Sequence, residues 1–338
     1  MKIAVIGAGA IGGYVGGWLA AAGEDVTCIA RGANLEAIRR NGMRVMGEDG
    51  TEVVAKGVAA SERMSEAGAQ DVVLLTVKAH QVAAVAGELR HLCHDETAIV
   101  TMQNGIPWWY FKKHGGPHDG TLVRAADPDG TIDRLIDADR IVGSVVYPAA
   151  TLVAPGIVQV VEGSRFTLGE LDGSESPRAL MISESLTKAG FKAPITSDIR
   201  GEIWLKIWGN VSFNPISALT HATLSDLLQF PLTRELSIEM MREAQSVAEK
   251  LGIKFRVGIE RRIAGAEKVG AHKTSMLQDV EAGKPMEIEA LVGAVVELGR
   301  LTETPTPHID AVYACAQLLA KTLADQHGRL AVQQLHPS

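Results

Sequence analysis

The stretch "KIAVIGAGAIGGYVGGWLA", residues 2–20, narrows the fold more than any other part of the chain. A short apolar run leads directly into Gly7, Gly9 and Gly12, and the residues after them have helical character. In such a unit the first glycine permits a tight turn, the second lets the backbone approach a pyrophosphate, and the third lets helix and strand pack closely. The helix N-terminus then faces the anion. Gly7, Ala8, Gly9, Ala10, Ile11 and Gly12 are therefore read as a dinucleotide-binding turn.

Apolar runs alternate with helical segments through the rest of the first half. "DVTCIAR", "DVVLLTVK", "AIVTMQNG", "GSVVYPA", "GIVQVVEG", "RFTLGEL" and "FKAPITSD" read as strands. That alternation predicts an α/β domain, a Rossmann-type doubly wound parallel sheet covered on both faces. From about Gly201 the pattern becomes helical. "RELSIEMMREAQSVAEKLG" places Leu236, Met240, Val247 and Leu251 at helical spacing before a Gly252 stop, and "PMEIEALVGAVVELGRL" does the same with Ile288, Leu291, Val295 and Leu298. The expected division is a dinucleotide-binding domain over 1–197, an all-helical domain over 198–330 and a fraying tail over 331–338. A chain of 338 residues with 46% hydrophobic content has enough apolar material for two cores.

A formal charge of -7 without a dense Lys/Arg block excludes nucleic acid as the expected partner. The apolar runs break before membrane-spanning length and the N-terminus does not read as a signal peptide, so a cytoplasmic location is expected. Cys28, Cys93 and Cys315 are too few and too scattered for a disulfide framework. "HLCH", residues 91–94, has no second ligand cluster, and no metal site is assigned.

The choice of dinucleotide is read at the end of the second strand, where NAD binders carry an acid for the ribose 2'-hydroxyl. Here Ala30 and Arg31 stand there, and a guanidinium suits a 2'-phosphate, which points to NADP(H). Lys78 supplies another cation at a strand's carboxyl end, where ligands of open parallel sheets bind, or is alternatively a solvated lysine. Asn104 follows a strand in "TMQNG", a turn dipeptide as readily as a site.

In "LKIWGNVSFNP", residues 205–215, Lys206, Asn210 and Asn214 recur every four residues. At about 100° per residue, each step of four advances about 40°, so the three side chains share one helical face. Pro215 gives no N–H, and the helix is expected to kink or end there. The face is a candidate site; alternatively it is a solvated stripe with Lys206 paired to Glu202.

The order of "GAGAIG", Arg31, "VKAHQ", "QNG", "KIWGNVSFNP", "SMLQD" and Glu287 resembles the ketopantoate reductase family over nearly the whole chain. The resemblance implies a Rossmann domain followed by a helical domain like the C-terminal part of 6-phosphogluconate dehydrogenase. It further implies reduction of 2-dehydropantoate by NADPH to (R)-pantoate, on the route to pantothenate and coenzyme A. Carried over by position, Lys206 matches the general acid, Asn210 and Asn214 substrate-binding amides, and Ser275 a substrate-contacting hydroxyl. Asn104 matches an asparagine near both nicotinamide and substrate, Glu287 a cofactor-contacting glutamate, and Ala149 a point where backbone meets cofactor. On the residues alone, Glu287 falls in the first turn of a helix begun by Pro285, Glu289 is the alternative acid, and Ser275 also suits a helix cap. Family members are monomers or dimers, which leaves a homodimer open.

Two stretches depart from the family pattern. "PWWYFKKHGGPHDG" is longer and more aromatic than usual, with Trp108, Trp109 and Tyr110 read as core or dimer contacts, or as the lining of an enlarged pocket. Leu224, preceded by Thr223, stands where the family carries another substrate asparagine. The partner is thus a small 2-oxo acid, either 2-dehydropantoate or another branched or aromatic one. A non-catalytic dinucleotide sensor would have no use for Lys206 and its amides.

Overall fold

A computed structural model of the chain describes residues 1–332; the expected tail from 333 onward lies outside the described residues. The chain forms two compact units. The first comprises Met1–Leu122 and Asp127–Glu202, and the second Val123–Ala126 and the chain from Ile203 onward.

The first unit is built on a seven-stranded sheet of β1 (Lys2–Ile6), β2 (Asp25–Ile29), β5 (Ala59–Ser61), β6 (Gln70–Leu75), β7 (Cys93–Thr101), β8 (Ile141–Val146) and β11 (Phe166–Glu170). Their order is β11-β8-β7-β6-β1-β2-β5, parallel except for the edge strand β11. Ile3 to Ile6 and Val72 to Leu75 are buried at every position, as strands covered on both faces must be. A four-stranded sheet of β3 (Met43–Met46), β4 (Glu52–Ala55), β9 (Ala149–Ala154) and β10 (Ile157–Glu162) lies beside it in the order β4-β3-β10-β9. The helices of this unit are α1 (Ala10–Ala21), α2 (Gly32–Asn41), α3 (Val82–Ala86), α4 (Thr131–Leu135) and α5 (Pro177–Lys188).

The glycine content of α1 follows from its position between the sheets. A Cβ on Gly16 would lie 3.1 Å from Val5 of the large sheet, and Cβ atoms on Gly13 and Gly17 would lie 2.7 Å from Val158 and 2.8 Å from Val45 of the small one. A larger residue at any of these points would push a sheet away. "FKAPITSD" does not form the expected strand: it makes only isolated bridges, Lys192 to Arg165 and Ile195 to Leu168. Pro194 between them has no N–H to continue a ladder.

The aromatic run after β7 is core. Trp108, Trp109, Tyr110 and Phe111 are all at most 3% exposed, and the Trp109 indole donates to Thr101 Oγ1 at 3.0 Å. Arg200 holds this loop in place: its guanidinium donates to the carbonyls of Tyr110 (2.7 Å), Lys112 (2.7 Å) and Leu171 (2.6 Å).

Arg200 lies in the first turn of α6 (Ile199–Thr220), within which the first unit gives way to the second. Of the kink or end expected at Pro215, the helix does not end there but continues to Thr220. Proline withholds one amide, the partner of the Val211 carbonyl, while residues 211–218 are buried on every side. Thr220 Oγ1 also donates to the Ile216 carbonyl at 2.7 Å. The second unit continues with α7 (Leu224–Gln229), α8 (Pro231–Lys250), α9 (Ile259–Glu267), α10 (Ser275–Ala282), a π-helical turn over Glu289–Gly293, α11 (Ala294–Leu301) and α12 (Pro307–Asp325). Among the described residues, no helix is long and apolar enough to cross a membrane.

Arg200→Ala removes a charged donor from three loop carbonyls. It is expected to lower the unfolding free energy by about 3 kcal/mol. Urea melts with an unchanged slope and a lower midpoint would show this; an unchanged midpoint would remove Arg200 as the anchor of the aromatic loop.

Candidate active site

The strand order of the large sheet reverses between β1 and β6, which is where open parallel sheets bind ligands beyond their carboxyl ends. A cleft of about 810 Å³ opens there, its walls including Gly7, Ala8, Gly9, Arg31, Arg63 and Val77. The three motif glycines meet different surroundings. Gly7 has φ of +98°, and a Cβ on it would lie 2.7 Å from Val77. A Cβ on Gly12 would lie 2.1 Å from the Gly7 carbonyl and 2.5 Å from Thr76 Oγ1. A Cβ on Gly9 would meet nothing within 4 Å. Fold packing thus accounts for Gly7 and Gly12, while Gly9, open at this point, lines the cleft.

Arg31 is exposed at the N-terminus of α2 and forms part of the cleft wall. Asn34, one turn into α2, donates to the Ala8 carbonyl at 2.6 Å and accepts from the Gly156 amide at 2.7 Å, tying the glycine turn in place. Arg63 is a second guanidinium on the cleft, paired with Glu66 through Nε at 2.7 Å. Its setting, "SERMSE", reads as a surface turn and gave no signal in the sequence. Lys78 is half-buried in the loop after β6, its amide donating to Gln81 Oε1 at 3.1 Å. It stands between Val77 and Gln81, which line the cleft. Asn104 is half-buried in the loop after β7. The preceding Gln103 fixes that loop by donating to the carbonyls of Leu75 at 2.6 Å and Val77 at 3.0 Å. Ala149 opens β9 and pairs with Glu162 in the small sheet.

The second unit carries the lysine and its amides. On α6, Trp204 and Trp208 are fully buried, and the Trp208 indole donates to the Met241 carbonyl at 2.7 Å. Asn214 is 6% exposed; Lys206 and Asn210 are half-buried. The face is therefore not a solvated stripe. Glu202 accepts from the Tyr147 hydroxyl at 3.0 Å and lies 3.8 Å from the Arg165 guanidinium. Burial pushes the Lys206 amine down to a pKa of about 8, against the upward pull of the Glu287 carboxylate.

Glu287 lies just before the helix rather than inside it, because regular structure begins at Ile288 and not at Pro285. Its carbonyl accepts the Leu291 amide at 3.2 Å. The π-helical turn follows at once, a feature frequent at functional sites. Glu289 is turned toward α12, where its carboxylate accepts from the Tyr313 hydroxyl at 2.8 Å. Ser275 is exposed at the first position of α10, and Thr274 takes the cap, accepting from the Leu277 amide at 3.3 Å. Thr223 caps α7 and Leu224 is buried beneath it, so both serve packing.

A parallel sheet with a glycine turn and cleft at its switch point is the arrangement of a dinucleotide-binding α/β fold. Residues 3–111 match the family profile described as "Ketopantoate reductase PanE/ApbA", and residues 198–320 match its C-terminal counterpart. A 2-dehydropantoate 2-reductase from Mesorhizobium japonicum is 54% identical over 321 residues, 95% of this chain and 98% of that protein. A solved structure from Ralstonia solanacearum MolK2, ascribed to the same family, superimposes with a TM-score of 0.90 at 38% identity over 95% of this chain and 98% of that one. D-mandelate dehydrogenase, solved with NADH and anilino(oxo)acetate, shares the fold at a TM-score of 0.80 and 23% identity, over 96% and 99% of the two chains. The chain belongs to the ketopantoate reductase family and is an oxidoreductase.

The glycine turn separates binding from folding. Gly9→Ala is expected to keep the thermal midpoint while weakening dinucleotide affinity about tenfold or more. Gly12→Ala is expected to destabilise the fold by about 1–3 kcal/mol or more. Fluorescence titration and thermal melts of the two variants check this; unchanged affinity in Gly9→Ala would contradict pyrophosphate contact at the turn.

Proposed function

We propose that the chain reduces 2-dehydropantoate to (R)-pantoate with NADPH, in the synthesis of pantothenate. The observation that carries this reading is the half-buried Lys206, on one helical face with Asn210 and Asn214 and under the influence of Glu287. The 54% identity to the Mesorhizobium enzyme supports the substrate, and the fit of the glycine turn to a pyrophosphate supports the cofactor.

When bound, NADPH supplies the hydride that forms the new C–H bond at the ketone carbon. As the C=O π bond breaks, negative charge gathers on oxygen. The Lys206 ammonium stabilises that charge and donates the proton that completes the hydroxyl, then recovers its own from water. Asn210 and Asn214 orient the polar substrate without competing as bases. Asn104 and Ser275 complete its contacts. Glu287 pulls the lysine toward its charged form. On the cofactor side, the turn from Gly7 to Gly12 takes the pyrophosphate, and Arg31 and Lys78 take phosphate oxygens. Arg31 at the end of β2 is the reason for choosing NADPH over NADH. The same fold accommodates NADH in D-mandelate dehydrogenase, so this reading of the cofactor rests on Arg31 and not on the fold.

Reduction requires the protonated lysine, so kcat/KM is expected to fall tenfold per pH unit above the free-enzyme pKa of about 8. Lys206→Ala should cut kcat by about 100-fold or more while leaving NADPH affinity intact. Near-normal turnover in that variant would remove Lys206 as the acid. In Arg31→Ala, kcat/KM for NADPH should drop roughly 10- to 100-fold with little change for NADH. A panel of branched and aromatic 2-oxo acids, followed by NADPH oxidation, tests the substrate: a larger kcat/KM for an aromatic acid would replace 2-dehydropantoate.

A further inference from the structure

A guanidinium is packed against the helix that carries Lys206. Arg262 lies in the first turn of α9, its amide bonded to the Gly258 carbonyl at 3.1 Å. Its Nη2 would lie 2.6 Å from a Cβ on Gly209, its Cζ 3.3 Å from the same point, with Phe213 Cε2 at 3.4 Å. Gly209 is a buried position in the middle of α6, where glycine is a poor helix former. No backbone angle requires glycine there, since Gly209 is absent from the positive-φ residues of the chain. The absence of a side chain at 209 is what gives the guanidinium its place.

The position matters because of what stands beside it. Gly209 follows Lys206 by three residues, so at about 100° per residue it lies about 60° to one side of the lysine. Asn210 and Asn214 lie about 40° and 80° to the other side. Around the helix the order is guanidinium, amine, amide, amide. A 4-hydroxy-2-oxo acid presents carboxylate, ketone and hydroxyl in that same order along its chain.

We propose that Arg262 binds the substrate carboxylate, with residue 209 kept as glycine so that the guanidinium reaches the edge of the Lys206 face. Arginine matches a carboxylate through two parallel N–H donors, which lysine and asparagine do not offer. This arrangement fixes the ketone oxygen at Lys206 and the hydroxyl end at the amides. It deepens the reductase reading and rests on it.

The test compares an acid with its neutral counterpart, using the full chain with NADP⁺ bound. Inhibition constants are measured for (R)-pantoate and for its lactone, which lacks the carboxylate. Arg262→Ala is expected to weaken the acid about 30-fold while leaving the lactone within about threefold. NADPH affinity should not move. Gly209→Ala, the better helix former, should show the same selective loss because its methyl displaces the guanidinium. Arg262→Lys keeps the charge without the paired donors and should fall between wild type and Arg262→Ala; it also serves as the readout where Arg262→Ala does not fold. Equal weakening of acid and lactone, or no weakening of the acid, would overturn the proposal. Absence of turnover by the wild-type chain with every 2-oxo acid would instead remove the parent reading.

Discussion

The first unit depends on the contact between Gly12 and the Gly7 carbonyl. At 2.1 Å from the carbonyl, even a methyl group on Gly12 would force α1 away from the end of β1. That approach sets the position of α1, and α1 in turn sets the spacing of the two sheets through Gly13, Gly16 and Gly17. The cleft at the β1–β6 switch is a consequence of the same packing. Thr76, beyond β6, closes the arrangement by donating to the carbonyls of Ile6 at 2.9 Å and Gly7 at 2.8 Å. Core packing and the cleft wall share one set of contacts, in which Gly9 is the member left open.

The second unit has its own constraint in α6, a helix buried nearly all round. Most polar side chains on such a helix would lower stability unless partnered. Ser212 returns its hydroxyl to the Trp208 carbonyl at 2.8 Å, and Ser217 donates to the Ala222 carbonyl at 2.7 Å. These two bond locally and serve the helix. Lys206 instead stays within the electrostatic reach of Glu287, 81 positions later in the chain. Those hydroxyls bond to carbonyls within five residues, whereas the Lys206 amine also feels a carboxylate from a distant segment of the chain.

Much of this was legible in the sequence where the information is local. The glycine turn, the helices with regular apolar spacing and the shared face of Lys206, Asn210 and Asn214 all follow from neighbours within a few residues. The misreadings have long-range causes. Pro215 predicts a kink or an end; the helix does not end there, because burial of the flanking turns keeps it running to Thr220. The place of the Trp108–Phe111 run in the core depends on Arg200, about 90 positions later. The small sheet joins β3 to β10 across more than 100 residues, and "MRVM" is too short to announce a strand. Arg63 and Arg262 carry no local signal at all, because each matters only through what another segment brings beside it.

The energetics of Lys206 connect stability to chemistry. A lysine moved from its usual 10.5 to about 8 is bound to its proton less firmly in the folded chain than in the unfolded one. Between about pH 8 and 10.5 the unfolded chain therefore holds more protons, and stability rises with pH across that window. At neutral pH the cost is present in full, roughly 3 kcal/mol, a sizeable share of the 5–15 kcal/mol by which domains are stable. An apolar side chain at 206 would avoid this cost. What the lysine offers in the proposed reaction is a cation that is still protonated about ten to one at pH 7, yet releases its proton far more readily than a solvated lysine. Burial alone would push the amine further toward neutrality, and a closely paired carboxylate alone would hold the proton too firmly. The proposed donor role of Lys206 rests on this opposition of burial and Glu287.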